Sequence, residues 1–404
     1  MPNASGLFKV VAYKKETVFG TIPAAAGAQL LRRISVDVTT SKDTYGSNEI
    51  RPEMQQSDFR HGVKRVSGKI SGDISAKTFA DFYGSFCKRL FTAGVSASAQ
   101  SITIAGSGPY TITRAAGSYL TDGFKIGHVV RLSVGTFNAA NSNKNLFVTS
   151  VTATVLTVVV LNASTMVAEG PVTGATVSVF GKQTWVASTG QVEESYALEQ
   201  YQPDMSPAVS EVSSGCKING FTANLPATGI ATNDFDIIGQ NVTTAATQYF
   251  TSPTAATTTG SLAAVNGLLS ANGSIVGVLT GLTITGAANY TGDPVVGSNV
   301  VPAFFPGIVK ITGQATAYFA DVTLRDAFLN ETEIAIMAVF TEDNTAASNF
   351  LSYIMHRVKL GGFSKSDSDG AIVVTVPFTA LLNKNGGSGT ATEFTTMLMQ
   401  DSAA

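Results

Sequence analysis

Charge is what this chain has least of. Lys and Arg number 26 and Asp and Glu 28, so 13% of the 404 residues are charged, about half of the roughly 25% usual in soluble domains. So thin a charge coat protects poorly against association. Either the chain is secreted and adhesin-like, or copies of itself cover most of its surface. The net charge of −2 leaves no basic excess, which excludes attraction to nucleic acid along the whole chain, because phosphate binding needs clustered Lys and Arg.

Metal and redox chemistry lack their residues as well. The two cysteines, Cys87 and Cys216, are too few and too far apart for a disulfide framework or a metal site, and read as buried free thiols. Of the three histidines, His61, His128 and His356, none neighbours a cysteine or stands three or four residues from another metal-type ligand on a helix. No HExxH, CxxC, GxSxG or P-loop pattern occurs. No catalytic residue, metal or cofactor is expected. Long apolar runs are missing too. The longest, Val155 to Leu161, is far short of the ~20 residues of a spanning helix. The start, MPNASGLFKVVAYKKE, lacks the basic region and apolar core of a signal peptide. The expectation is a soluble protein made in the cytoplasm, with no membrane span.

Carboxylate pairs deserve a test against glycosidase chemistry. Glu193 with Glu194, Asp234 with Asp236, and Asp367 with Asp369 are the candidates. Asp234 and Asp236 share one face of a strand from Thr232 to Ile238 and read as a solvated edge. The run from Lys365 to Ala371 looks like a calcium loop but lacks a closing Glu, so a hydrophilic hairpin tip is expected. Trp185, the single tryptophan, is expected to pack a junction between blocks.

The richest stretch runs from Ser47 to Ser75. Val66, Gly68, Ile70, Gly72 and Ile74 alternate with Ser67, Lys69, Ser71, Asp73 and Ser75, the period of a half-buried strand. Ile34, Val36 and Val38 give an earlier strand with those residues inward. The two are expected to pair as a long hairpin over 33–75, with an extended charged loop from Thr39 to Lys64. Phe79, Phe82, Tyr83, Phe86 and Leu90 then fall on one face of a helix over 76–91, with Ser75 as N-cap and Lys88 and Arg89 in the last turn. From 93 to 181 come five or six short strands, broken by turn signals such as Gly106-Ser-Gly-Pro and Glu169-Gly-Pro. These predict an inserted barrel or sandwich. From 182 onward strands resume. The Thr/Ala/Ser-rich stretch Thr243 to Asn272 reads as an ordered loop or arm, and the Gly-rich tail from Asn383 as an arm that is mobile until bound.

Several of these motifs, in this order, resemble the major tail tube proteins of long-tailed, non-contractile bacteriophages. They are Ser47-Asn-Glu-Ile-Arg, Asp58-Phe-Arg-His-Gly, Ser67-Gly-Lys-Ile-Ser-Gly-Asp-Ile-Ser and the Phe-rich helix, then Gly215-Cys-Lys-Ile-Asn-Gly-Phe, Gly297-Ser-Asn-Val-Val-Pro, Val309-Lys-Ile-Thr-Gly and Arg357-Val-Lys-Leu-Gly-Gly. The insertion, with Gly117-Ser-Tyr-Leu-Thr-Asp-Gly-Phe-Lys-Ile-Gly, is similar to modules within some of these proteins. The resemblance implies a mainly β fold: a tail-tube-type β-sandwich or partial barrel with one flanking helix, plus an inserted small all-β domain. Residues 1–92 and 182–404 would form the tube core, ending in a C-terminal arm, and 93–181 the insert. It implies a structural virion protein, not an enzyme, that self-assembles into stacked, hexameric rings through which genomic DNA passes without specific binding. Partners would be other copies, the tape measure, and the terminator and tip proteins. Location would be the tail, after a stay in the host cytoplasm. Asn48, Glu49, Arg51, Asp58, Arg60 and Arg65 would lie at the ring-to-ring contact. The alternative reading is a secreted or surface carbohydrate-binding β protein with the insert as its binding module. A polysaccharide-degrading enzyme ranks behind both.

Overall fold

The computed structural model describes residues 3–162, 164–263, 267–271, 274–275, 279–319, 323–366 and 370–404. The chain is mainly β. Its main sheet begins with Ser35–Gly46 and passes through Phe59–Asp73, Thr232–Gly239, Val209–Pro226, Leu279–Ala287 and Lys310–Tyr318 to Val373–Ala380, each strand antiparallel to the next. It continues through Phe350–Leu360 to Ile334–Thr341 on one side and to Leu398–Asp401 and Lys182–Trp185 on the other. A smaller sheet joins Val10–Lys15, Tyr196–Gln202, the first half of Val209–Pro226 and Asn241–Ala245.

One strand serves both sheets because it bends at Gly215. There φ is +66°, a backbone that L side chains rarely adopt. The bend is pinned by the buried Glu16 carboxylate, which accepts from Gly215 N at 2.8 Å and from Ser195 Oγ at 2.6 Å.

Helix Ala80–Cys87 lies in the core between the sheets, where Phe79, Phe82, Tyr83 and Phe86 are buried. It is shorter than the periodicity predicts. Ser75 spends its hydroxyl on Thr78 Oγ1 at 2.5 Å and does not cap the helix. Lys88 ends the helix in the left-handed conformation, and Leu90 is 42% exposed. The apolar stripe marked what is buried, but the helix stops where it has covered the sheet. Rings of Phe82, Tyr83, Phe221 and Phe235 meet edge-on at 5.1–5.4 Å. Packing is so close that a Cβ on Gly286 would come within 2.4 Å of Phe221.

Six strands between Ser96 and Val179 close on themselves as a barrel. Its own buried cluster includes Ile102, Ile112, Phe124, Leu132, Val148, Leu156 and Val177. Glu169-Gly-Pro is not the expected turn. It begins the long strand Glu169–Val179, whose register shifts accommodate it. A four-residue helix, Tyr119–Asp122, capped by Ser118 Oγ, was not foreseen.

Three further expectations need correcting. Ile34 is 58% exposed, so the inward face of the first hairpin strand starts at Val36. The charged loop is shorter than Thr39 to Lys64, because strand pairing continues out to Gly46 opposite Phe59. The tail from Asn383 is not a mobile arm. Leu398–Asp401 pairs with a strand on each side and is wholly buried. Met397, Leu398 and Met399 supply apolar contacts that a Gly-rich prefix hid.

Over 246–263 the Thr/Ala/Ser-rich segment is an ordered loop tied down by a buried acid and a half-buried base, while Gly267–Ala271 within it is a strand paired with Ile334–Thr341. Glu199, 1% exposed, accepts from Tyr249 N at 2.6 Å, Phe250 N at 2.9 Å and Ser210 Oγ at 2.6 Å. Arg32 donates to Thr257 O and Thr259 O. Charge-assisted bonds of this kind contribute about 1.5–3 kcal/mol each. Glu199→Gln is therefore expected to expose the 246–263 loop to protease while the body stays folded, read by limited proteolysis of variant and parent.

Candidate assembly surface

The feature that stands out from the body is the hairpin Ser35–Gly46 and Phe59–Asp73. Its inner half packs into the core through Val38, Val66 and Ile70. Its outer half is anchored by Val63, which joins Val301 and Phe304 in a small cluster, and by Lys64 N donating to Asn299 O at 2.8 Å. Beyond that anchor the hairpin runs out into a loop, 47–58, exposed throughout except for a half-buried Ser47.

Of the residues expected at a contact, Asn48, Glu49, Arg51, Asp58 and Arg60 lie on this projection, and Arg65 lies at its base beside the anchoring Lys64. Arg51 donates to Glu49 Oε2 at 2.7 and 3.1 Å, and Arg60 to Asp58 Oδ2 at 2.9 Å. Arg65 sits 3.7 Å from Asp43. Asn48 lies between them on the exposed loop. Their charges are thus already neutralised within the projection. Exposed pairs of this kind contribute about 0–1 kcal/mol.

Sequence reasoning passed over the apolar residues among these charges. Ile50 is 102% and Met54 94% exposed. Tyr45 and Phe59 stand half out on the stem, and Val295 and Val296 are exposed beside it. An open groove of about 840 Å³ lies here, lined by Tyr45, His61, Val63 and residues 294–299. The available signal was composition: Ile and Met in a loop with no period that would bury them.

The second surface is a face of the main sheet. Ser35, Ser71, Asp234, Thr222, Thr285, Thr312 and Thr379 lie opposite one another in a single row across seven strands. The neighbouring row is Asp73, Thr232, Asn224, Thr283, Gln314 and Pro377. The opposite face of the same strands carries Ile70, Phe235, Phe221 and Ile311, all buried. Seven strands span ~30 Å. The face is therefore a wide hydroxyl-rich wall, with Asp37, Asp73, Asp234 and Asp236 against Lys69 and Lys310. Asp234 accepts from Ser71 Oγ, and Asp236 sits 3.7 Å from Lys69. These two carboxylates face open space among hydroxyls, not a cleft.

The other carboxylate candidates have structural partners. Glu193 accepts from Lys217 at 2.8 Å and Tyr290 at 2.7 Å, and Glu194 binds Lys15 and Tyr196. Asp367 and Asp369 lie outside the described residues. Cys87 and Cys216 are free and buried, and burial pushes the Cys87 thiol up to about 12. Among the described residues no three of His, Cys, Asp and Glu are placed to hold a metal ion, and no helix is long and apolar enough to cross a membrane.

A comparison with curated proteins gives no match. Residues 9–380, nearly the whole chain, match the family described as phage tail tube protein, and the chain belongs to that family.

Proposed function

We propose that this chain is the repeating, non-catalytic subunit of stacked hexameric rings that form a phage tail tube and conduct the DNA genome. The observation that carries the reading is the projecting hairpin with its apolar, uncovered tip. The side chains of Ile50 and Met54 stand almost fully exposed in the single chain, while Glu49, Arg51, Asp58 and Arg60 around them are paired locally. Such a tip meets a different surface on the next copy, and a contact between two different surfaces either closes into a ring or propagates into a filament. Among the described residues, strand Ser35–Gly46 pairs on one side only, an edge that an identical neighbour completes. Asn48, Glu49, Arg51, Asp58, Arg60 and Arg65 would set the register of stacking.

In this reading the hydroxyl face lines the lumen. Hydroxyls and a small excess of carboxylates offer a polyanion no cluster of cations to release counterions against, so DNA slides past without specific binding. Residues 93–181 would be an insert in the tube core, pointing outward. The tape measure and the terminator and tip proteins would be its other partners. The subunit would wait in the host cytoplasm and end in the virion tail.

The test uses Thr285→Cys on the wall and Thr173→Cys on the exposed barrel surface, with the native thiols buried. In assembled tubes a small maleimide is expected to label both sites, and a maleimide carried on a protein only the second. Labelling of position 285 by the large reagent, or by neither, overturns the assignment of the face. Absence of tubes by electron microscopy overturns the tube itself.

A further inference from the structure

We propose that the joint between the six-stranded barrel and the body is an acid-labile latch, in which protonation of His128 and His356 drives the barrel off the sheet while the body stays folded. The joint is well defined. Gln400 of the C-terminal strand, fully buried, donates to Val129 O at 2.8 Å and Phe180 O at 2.7 Å and accepts from Val129 N at 2.8 Å. Arg131 reaches from the barrel to Ala347 O at 2.9 Å, and Asn145 to Ser348 O at 2.8 Å. Val129 and Phe147 of the barrel share an apolar cluster with Met337, Phe350, Ile354 and Leu398 of the body. Approach is so close that a Cβ on Gly127 would fall 2.8 Å from Ile354 Cγ2.

Two histidines sit in this joint, one on each side. His128 follows Gly127 on the barrel, and His356 is two residues beyond Ile354 on the body strand Phe350–Leu360. Nδ1 of His128 accepts from Lys125 N at 3.1 Å, so a proton added there removes an acceptor. The Nε2 atoms of both rings are buried and have no hydrogen-bond partner among the described residues. Among the described residues no carboxylate is placed to meet a charged imidazolium here.

The charged groups around the pair make matters worse for a cation. Lys125 faces both rings, and its ammonium is taken by Gly387 O at 2.5 Å and Thr390 O at 2.9 Å, with Glu393 at 4.0 Å. Arg131, in the same joint, spends its guanidinium on Asn145 Oδ1 at 2.7 Å and Ala347 O at 2.9 Å. Asp401, beside Gln400, spends its carboxylate on the N–H groups of Lys77, Ala403 and Ala404. Burial, then the other imidazole and Lys125, push His128 down to about 3, and burial, then Lys125, push His356 down to about 4.

Both histidines are depressed while docked and return to about 6.5 when wetted. Docking is therefore at full strength above about pH 6.5 and is lost as pH falls. Each pH unit below that lowers the docked-to-undocked ratio by up to about tenfold per histidine, or about ten-thousandfold for the pair near pH 4.5. Asp401 runs the other way. Burial raises it to about 6, so proton uptake by the folded strand favours the body as pH falls and cannot imitate loss of the latch.

Trp185, the only tryptophan, packs against the same cluster, with the Arg89 guanidinium 3.6 Å from its ring. Its fluorescence reports the joint directly. In the full-length chain, titrated from about pH 8 to about pH 4, emission is expected to shift red before the far-ultraviolet circular dichroism changes. A His128→Gln, His356→Gln double variant should move that midpoint down by more than about one pH unit. Coincident fluorescence and dichroism transitions, or an unmoved midpoint in the double variant, overturn the latch. Should the double variant not fold, Gln400→Ala, which weakens the joint and keeps both histidines, must raise the midpoint. A midpoint left at the parent value then overturns it equally.

Discussion

Changing Ile50 and Met54 together to Asp is expected to abolish tube formation and leave a folded monomer. Both side chains are almost fully exposed in the single chain. Surface substitutions of this kind shift stability by about 0.5 kcal/mol or less, so thermal unfolding of the monomer should hardly move. In the assembly each side chain would become buried, a transfer that contributes about 1.5–3 kcal/mol per residue. Losing two such anchors weakens each contact by about a hundredfold to ten-thousandfold, and the loss recurs at every subunit. Reversing the charge of Glu49 or Arg60 should do far less, because exposed ion pairs contribute about 0–1 kcal/mol. Sedimentation velocity with negative-stain microscopy decides the matter. Tubes of normal length from the double variant would show that the tip is not the contact.

The second large effect is on stability. Phe235→Ala is expected to cost about 3–5 kcal/mol, as large aromatic truncations in cores do. Phe235 is fully buried and lies 5.1 Å from the rings of Phe79 and Tyr83 and 5.4 Å from Phe82. Those three residues belong to the helix and its approach, so the cavity opens where helix and sheet meet. A domain-sized protein has only about 5–15 kcal/mol in total. The variant should unfold at much lower denaturant, with an unchanged slope. A loss under about 1.5 kcal/mol would mean that the aromatic cluster is not the keystone of the body.

How much of this was readable in the residues depended on whether burial followed a short period. The hairpin strand from Val66 to Ile74 was legible because alternate residues face the core and the wall. The Phe-rich stripe was legible because its rings all point at Phe221 and Phe235. Helix ends were not, since Ser75 bonds Thr78 three residues on and Lys88 adopts a left-handed turn, neither of which an apolar period records. The C-terminal strand was missed because its four residues are buried on both faces and show no alternation.

The candidate surfaces divide in the same way. The charged loop advertised itself by composition. The hydroxyl wall did not, because its central row takes one residue from each of seven strands spread between Ser35 and Thr379, and only register aligns them. Glu199 and Gln400 carried no local signal at all. Each is one polar residue of a strand, Glu199 beside Gln200 and Gln400 beside Asp401, and its value lies in backbone groups about 50 residues away or more.

The most direct measurement is electron cryomicroscopy of tubes assembled from the purified chain. The prediction is a hexameric ring with the row Ser35, Ser71, Asp234, Thr222, Thr285, Thr312 and Thr379 facing the lumen, and loop 47–58 buried between successive rings. A chain that stays solitary at high concentration, or a tube with that row on its outer surface, would contradict it.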